Sequence, residues 1–157
     1  MMLRLLRRTS SAAAVLLTAH EARKAFEAAI ATSFTTTTIA WPNRPATPNN
    51  TAPWLRVESI RWRNASPMDM GAAASRAGLL TGEAVVNVQG PAGRGWGMLF
   101  ALADAVRTRF TRAALTVPSG MTLQCKVASG PTLTTSERGI AQASVRIPFE
   151  VTETVPN

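Results

Sequence analysis

The stretch Gly90-Pro91-Ala92-Gly93-Arg94-Gly95-Trp96-Gly97 is where the types and spacing of residues come closest to a chemical site. Glycines at this density let a backbone wrap an anion, and Gly90 and Gly95 have the separation found in phosphate-binding loops. Such a loop also needs Lys and then Ser or Thr after its second glycine, to reach the phosphates and their magnesium ion; Trp96 and Gly97 stand there instead. The dinucleotide fingerprint fails as well, because the last spacing in Gly93-x-Gly95-x-Gly97 is wrong. These residues read as a flexible turn into a helix. Within it Arg94 offers a planar cation and Trp96 an aromatic anchor, a pair suited to a protein partner.

No other residues assemble into a reactive set. The single histidine, His20, stands beside a helix start with no Cys, Asp or second His at metal-ligand spacing. Nucleophilic catalysis needs a base beside Ser, Thr or Cys, yet Cys125 falls on an apolar parity, where a thiol acts as a small hydrophobe. Asp69, Glu83, Asp104 and Glu150 show no spacing that marks a carboxylate pair. No catalytic residue, metal ligand or cofactor is expected. Trp41 and Trp54 bracket a proline-rich segment and are expected to pin it to a sheet.

Composition narrows the class. The chain has 157 residues, 46% of them hydrophobic, enough for one domain with a real core. Only 17% are charged, so much of the polar surface is Ser, Thr, Asn and backbone, which suits a protein packed against neighbours. Net charge is +8, and 15 of the 17 cations are Arg, which pairs well at interfaces but also follows from GC-rich coding. The cations are scattered rather than clustered with aromatics, which argues against a nucleic-acid module. A lone cysteine excludes an internal disulfide and fits a reducing compartment. The first nineteen residues carry Arg4, Arg7 and Arg8 ahead of a six-residue apolar run, too short to span a membrane and short for a signal peptide. They read as an N-terminal arm or helix extension that docks on a neighbour, followed by one domain over 20–157.

The elements that must position these residues follow from periodicity. Thr18 and Glu21 form a capping box, and Ala22, Ala25, Phe26, Ala29 and Ile30 recur at helical spacing. Strands are expected over 35–41, 54–62 (with a change of face that suggests a bulge near Ser59), 79–89, 121–127 and 145–151. A second helix follows Gly97, with Leu99, Leu102, Ala103, Val106 and Phe110 on one stripe. Residues 63–78 are poor in bulky apolar side chains and read as a long loop; 129–139 reads as a turn-rich connector. Pro148 cannot donate to a ladder, which places the last strand at an edge or gives it a bulge. One greasy and one polar face per strand predicts an α+β fold: a two-layer sandwich, mostly antiparallel, with helices on one face.

Three stretches resemble the phage tail terminator-like family when taken in order. They are Ile39-Ala40-Trp41-Pro42-Asn43-Arg44-Pro45 followed by Pro53-Trp54-Leu55-Arg56-Val57; Pro91-Ala92-Gly93-Arg94-Gly95 running into Leu102-Ala103-Asp104 and Phe110; and Val145-Arg146-Ile147-Pro148-Phe149. With the helix from His20 they cover residues 20–153. The resemblance implies a homo-oligomer, a hexameric ring on the last ring of tail tube protein, which stops polymerisation and meets the head-completion or connector protein. It implies a virion location in the tail-neck region after assembly in the host cytoplasm, DNA passing through the ring without specific binding, no membrane, and no catalytic residues. Arg94, Trp96, Arg4, Arg7, Arg8 and Pro148 are the candidate subunit or partner contacts. Two other readings stay open: another neck or head-completion protein of the same virion, and an imported cellular protein with an N-terminal targeting segment.

Overall fold

Two strands of 17 residues each, β4 (Ser75–Pro91) and β8 (Ile140–Pro156), pair antiparallel along their whole length, from Ser75 opposite Pro156 to Pro91 opposite Ile140. In this computed structural model the described residues are 19–44, 51–58, 60–68, 75–135 and 139–156. The capping residue Thr18, the arm, most of the proline-rich segment and the bulge expected at Ser59 lie outside them. The other elements are α1 (Ala19–Ser33), β1 (Ile39–Ala40), β2 (Trp54–Val57), β3 (Arg61–Met68), α2 (Gly97–Phe110), β5 (Ala114–Thr116), β6 (Thr122–Cys125) and β7 (Ser129–Thr135). Among the described residues the fold is mixed α/β: one strand-rich, curled sheet in the order β1-β2-β4-β8-β6-β5, with β3 on β4 and β7 on β8, and two helices.

The long strands arise because alternation supplies one continuous apolar face. Ala84, Val86 and Val88 of β4 and Ala143, Val145, Ile147, Phe149 and Val151 of β8 are buried in a common core. Against them lie Ala22, Phe26 and Ile30 of α1 and Leu99, Ala103, Val106 and Phe110 of α2. Phe26 ties the parts together, its ring centroid 5.8 Å from Phe110 and 5.4 Å from Phe149. Gly82 stands directly between Trp62 and Phe149 in the ladder, and those two rings meet edge-on at 5.4 Å. A Cβ at position 82 would strike the Phe149 ring, so glycine there is what lets the aromatic pair close over the sheet.

Several expectations are corrected by pairing that no local pattern encodes. The strand expected over 35–41 is reduced to Ile39–Ala40, because its only partner among the described residues is the four-residue β2 and the preceding threonines turn off the end of α1. The strand expected over 54–62 is two strands, β2 and β3, laid end to end on β4; the change of face falls in the break between them. Of the long loop expected over 63–78, residues 69–74 lie outside the described residues, while 63–68 are instead the end of β3 and 75–78 the start of β4. Those residues are poor in apolar side chains, but backbone hydrogen bonds to β4 and β8 hold them extended. Likewise 129–139 contains β7, paired to β8, and the short strand β5 pairs β6.

The last strand is interior, not an edge: β4 lies along one side of β8, with β6 and β7 along the other. Pro148 is tolerated there for a local reason. In an antiparallel ladder the N–H and C=O of one residue point the same way. The Pro148 carbonyl accepts from the Lys126 N–H at 2.8 Å, so the missing N–H would have faced the Lys126 carbonyl. That carbonyl accepts instead from the Arg112 N–H at 3.1 Å. No acceptor is orphaned, and the gap falls where β6 ends and β7 begins.

Candidate interaction surfaces

Two turns carry a tryptophan and an arginine within four residues of each other, and they are built differently. The turn before α2 needs left-handed backbone at Gly93 (φ 84°) and Gly95 (φ 80°), a conformation that costs glycine little. It delivers Trp96 to the N-cap of α2, where its carbonyl accepts from the Phe100 N–H at 2.9 Å but its side chain makes no capping bond. The Trp96 ring tilts against Phe100, centroids 6.3 Å apart, and 43% of the residue remains exposed. Arg94 is exposed beside it. Behind them a cleft of about 360 Å³ is lined mostly by Pro91, Ala92, Trp96, Ile140 and Ala141. Arg94 and Trp96 are thus brought together at one end of β8. Pro148 is not: it lies seven residues further along β8 from Ala141, about 23 Å at the usual strand rise. Arg4, Arg7 and Arg8 lie outside the described residues.

The second turn, Trp41-Pro42-Asn43-Arg44, closes with the Arg44 N–H donating to the Trp41 carbonyl at 3.2 Å. Proline fixes its own φ at about −65° in the second position, and Asn43 takes the left-handed φ (58°) that such a turn requires in the third. The floor beneath is rigid. Trp54 is only 4% exposed, and its Nε1–H donates to Gln89 Oε1 at 3.1 Å. Trp54 therefore has a specific partner on the sheet, while residues 45–50 of the segment it was expected to pin lie outside the described residues. Gln89 passes the bonding on, its Nε2 donating to Gln142 Oε1 at 2.6 Å, and Gln142 Nε2 donates to Thr134 Oγ1 at 3.2 Å. In parallel, Ser144 Oγ donates to Asn87 Oδ1 (2.6 Å) while Asn87 Nδ2 donates to Glu58 Oε1 (2.9 Å). The face of the sheet turned away from the core is therefore a cross-strand polar ladder over β2, β4, β8 and β7.

Two clefts meet at this turn. One, of about 510 Å³, is lined by residues including Trp41, Arg44, Trp54, Arg56, Glu58 and Gln89. The other, of about 350 Å³, adds Arg23, Lys24 and Glu27 of α1. Trp41, Pro42 and Arg44 line both. The sequence pointed at the glycine turn and missed this groove, whose walls come from residues scattered between positions 23 and 140; the one local signal was the Trp-Pro-Asn-Arg turn itself. Cys125 sits in the core, and burial pushes its thiol up to about 12, with Arg109 pulling modestly the other way. It is a packing residue. Among the described residues no group of His, Cys, Asp or Glu could hold a metal ion, and no helix is long and apolar enough to cross a membrane.

The chain matches the family model described as phage tail terminator protein over residues 21–150, and it belongs to that family. The family is one of structural tail proteins, so the chain is a tail structural protein that associates with other virion proteins. No functionally curated protein matches its sequence. A chain of a solved structure described as the virion of a native gene transfer agent particle aligns with a TM-score of 0.53 at 13% identity, over 93% of this chain and 98% of that one. Another solved chain, whose name carries no function, aligns with a TM-score of 0.58 at 19% identity, over 87% of this chain and 96% of that one. At such identities the likeness is one of fold, and it spans nearly the whole of both partners.

Proposed function

We propose that this protein is the terminator itself: it closes into a ring, a hexamer, on the last ring of tail tube protein, stops tube growth, and presents its other side to the head-completion or connector protein. The family match over residues 21–150 carries this reading. Contacts between identical subunits arranged head to tail either close or grow into a filament, so a terminator must bind the tube end without templating another layer. The sheet is compatible with that demand. Its outermost strands β1 and β5 have two and three residues, too short to invite unlimited edge pairing. Longer unpaired edges among the described residues belong to β3 and β7, and these replace the last strand as the proposed subunit edges. The helices and the core face of the sheet form the proposed two-layer body; Arg94 and Trp96 contact a neighbouring subunit or ring. Residues 1–19, with Arg4, Arg7 and Arg8, are the proposed arm, and DNA passes through the ring without specific contacts.

Deleting the gene tests the reading. Headless tails of irregular, often excessive length beside heads without tails are expected in electron micrographs. Tails of normal length joined to heads would exclude the terminator role and place the protein elsewhere in the neck.

A further inference from the structure

We infer that the groove across the Trp41–Arg44 turn is a docking site for an acidic, extended segment of a different protein, whose carboxylates seat on Arg44, Arg23 and Arg56 while an apolar side chain lies on the Trp41 ring. Four cations line the joined clefts, Arg23, Lys24, Arg44 and Arg56, against two carboxylates, Glu27 and Glu58. Both carboxylates are already engaged: Glu27 stands 3.3 Å from Arg23 Nε, and Glu58 is 3.4 Å from Arg56 while accepting from Asn87. Arg44 is exposed and has no ion-pair partner among the described residues. The Arg23 Nε–H is buried yet finds no hydrogen-bond acceptor among them, its Glu27 contact being out of line. The rest of the Arg23 side chain is exposed, so a carboxylate in the groove can pair with its guanidinium beside Glu27.

The chemistry of the walls chooses among polyanions. A nucleic-acid strand carries closely spaced phosphates and favours grooves of unopposed cations, whereas Glu58 is fixed by Asn87 inside this one. A peptide can set an apolar side chain opposite Glu58 and its carboxylates opposite the arginines. A second copy is a poor occupant, since the chain has 17 cations against 9 carboxylates. The identity of the donor as a neighbour in the particle rests on the tail reading; the preference for carboxylates does not.

Two measurements separate these layers. Purified full-length protein is titrated at low salt into fluorescein-labelled hexaglutamate and, separately, a labelled six-nucleotide single-stranded DNA, and anisotropy is read. Hexaglutamate should bind better than the DNA, and Arg44→Glu with Arg56→Glu should weaken it about tenfold or more. Arg107→Glu, on the outer face of α2, should leave it unchanged, and circular dichroism checks that each variant is folded. No binding of hexaglutamate, an equal loss in Arg107→Glu, or tighter DNA binding lost in the groove variants would overturn the proposal. In particles, a photo-crosslinking amino acid at position 41 should capture one segment of another protein rich in Asp and Glu. Capture of a second copy or of DNA would overturn it too. Absence of the chain from purified particles would instead remove the tail reading, and the anisotropy result would still judge the groove.

Discussion

The turns at Trp41–Arg44 and at Gly93–Trp96 present the same two side-chain types, yet only one of them is part of a built surface. The first takes its left-handed residue from Asn43, stands over a buried Trp54 hydrogen-bonded to Gln89, and is flanked by carboxylates already in use. The second takes its shape from glycines whose absent Cβ atoms would meet nothing within 4 Å, and its exposed tryptophan has Phe100 as its aromatic neighbour. A glycine turn of this kind has room to adapt to whatever surface it meets. A proline-asparagine turn on a hydrogen-bonded floor holds its cation in one place. The difference predicts that the aromatic side chains of the first region are coupled to the stability of the domain and the exposed side chains of the second are not.

The largest effect should come from the floor. Trp54→Ala removes a buried aromatic and strips Gln89 of its donor, and should cost about 3–5 kcal/mol in denaturant unfolding. Trp54→Phe keeps most of the bulk and loses the bond, so about 1 kcal/mol is expected. A Trp54→Ala variant as stable as the parent would erase the contrast between the two turns.

A reference point in the core sharpens it. The Cys125 thiol ionises near 9.0 when free and is pushed up to about 12 by burial, so the folded state keeps its proton longer than the unfolded one. Its contribution is therefore intact below about pH 9 and declines as pH rises toward 12, by about 1.4 kcal/mol per pH unit. Subtracting the curve of Cys125→Ala isolates this limb. A difference curve flat over that window would show the thiol to be accessible, and rapid labelling of the native protein by a thiol reagent would show the same.

Backbone geometry at the two turns gives smaller changes. Gly95→Ala forces a side chain into left-handed backbone and should cost about 1 kcal/mol, while Asn43→Gly should be close to neutral, since both residues visit that region. A loss of several kcal/mol on Asn43→Gly would mean that the Asn43 side chain, not its backbone, organises the turn.

What was legible in the sequence follows the range of the interactions involved. Val127, on the buried parity of the strand expected over 121–127, is exposed because β6 ends at Cys125, and Trp54 finds its partner Gln89 far along the chain. Both helices, the alternation of 122–125 and 145–151 and the burial of Cys125 rest on neighbours a few residues away. The extended residues of 63–68 and 75–78 do not: their Ser, Ala, Asn and Gly favour a loop, and only the ladders to β4 and β8 hold them straight. Pro148 misled for the same reason, because the donor that satisfies Lys126 belongs to Arg112. The groove was the least legible feature, since α1, the Pro-Asn turn, β2 and β4 must first be brought together by the sheet.

The smallest effect on the fold is the one with the largest expected effect on assembly. Replacing Arg94 and Trp96 together with Ala removes an exposed cation and a ring with one aromatic neighbour, so stability should stay within about 0.5 kcal/mol of the parent. The same change should reduce ring formation, because a large aromatic beside a planar cation is the composition of an interface hot spot. Sedimentation of the purified variant gives the first readout and negative-stain images of tails the second. Rings and tails formed as well as by the parent would move the subunit contact to the β3 and β7 edges. A large loss of stability would show instead that Trp96 holds the start of α2 in place, and the two turns would then be alike in being tied to the body beneath them.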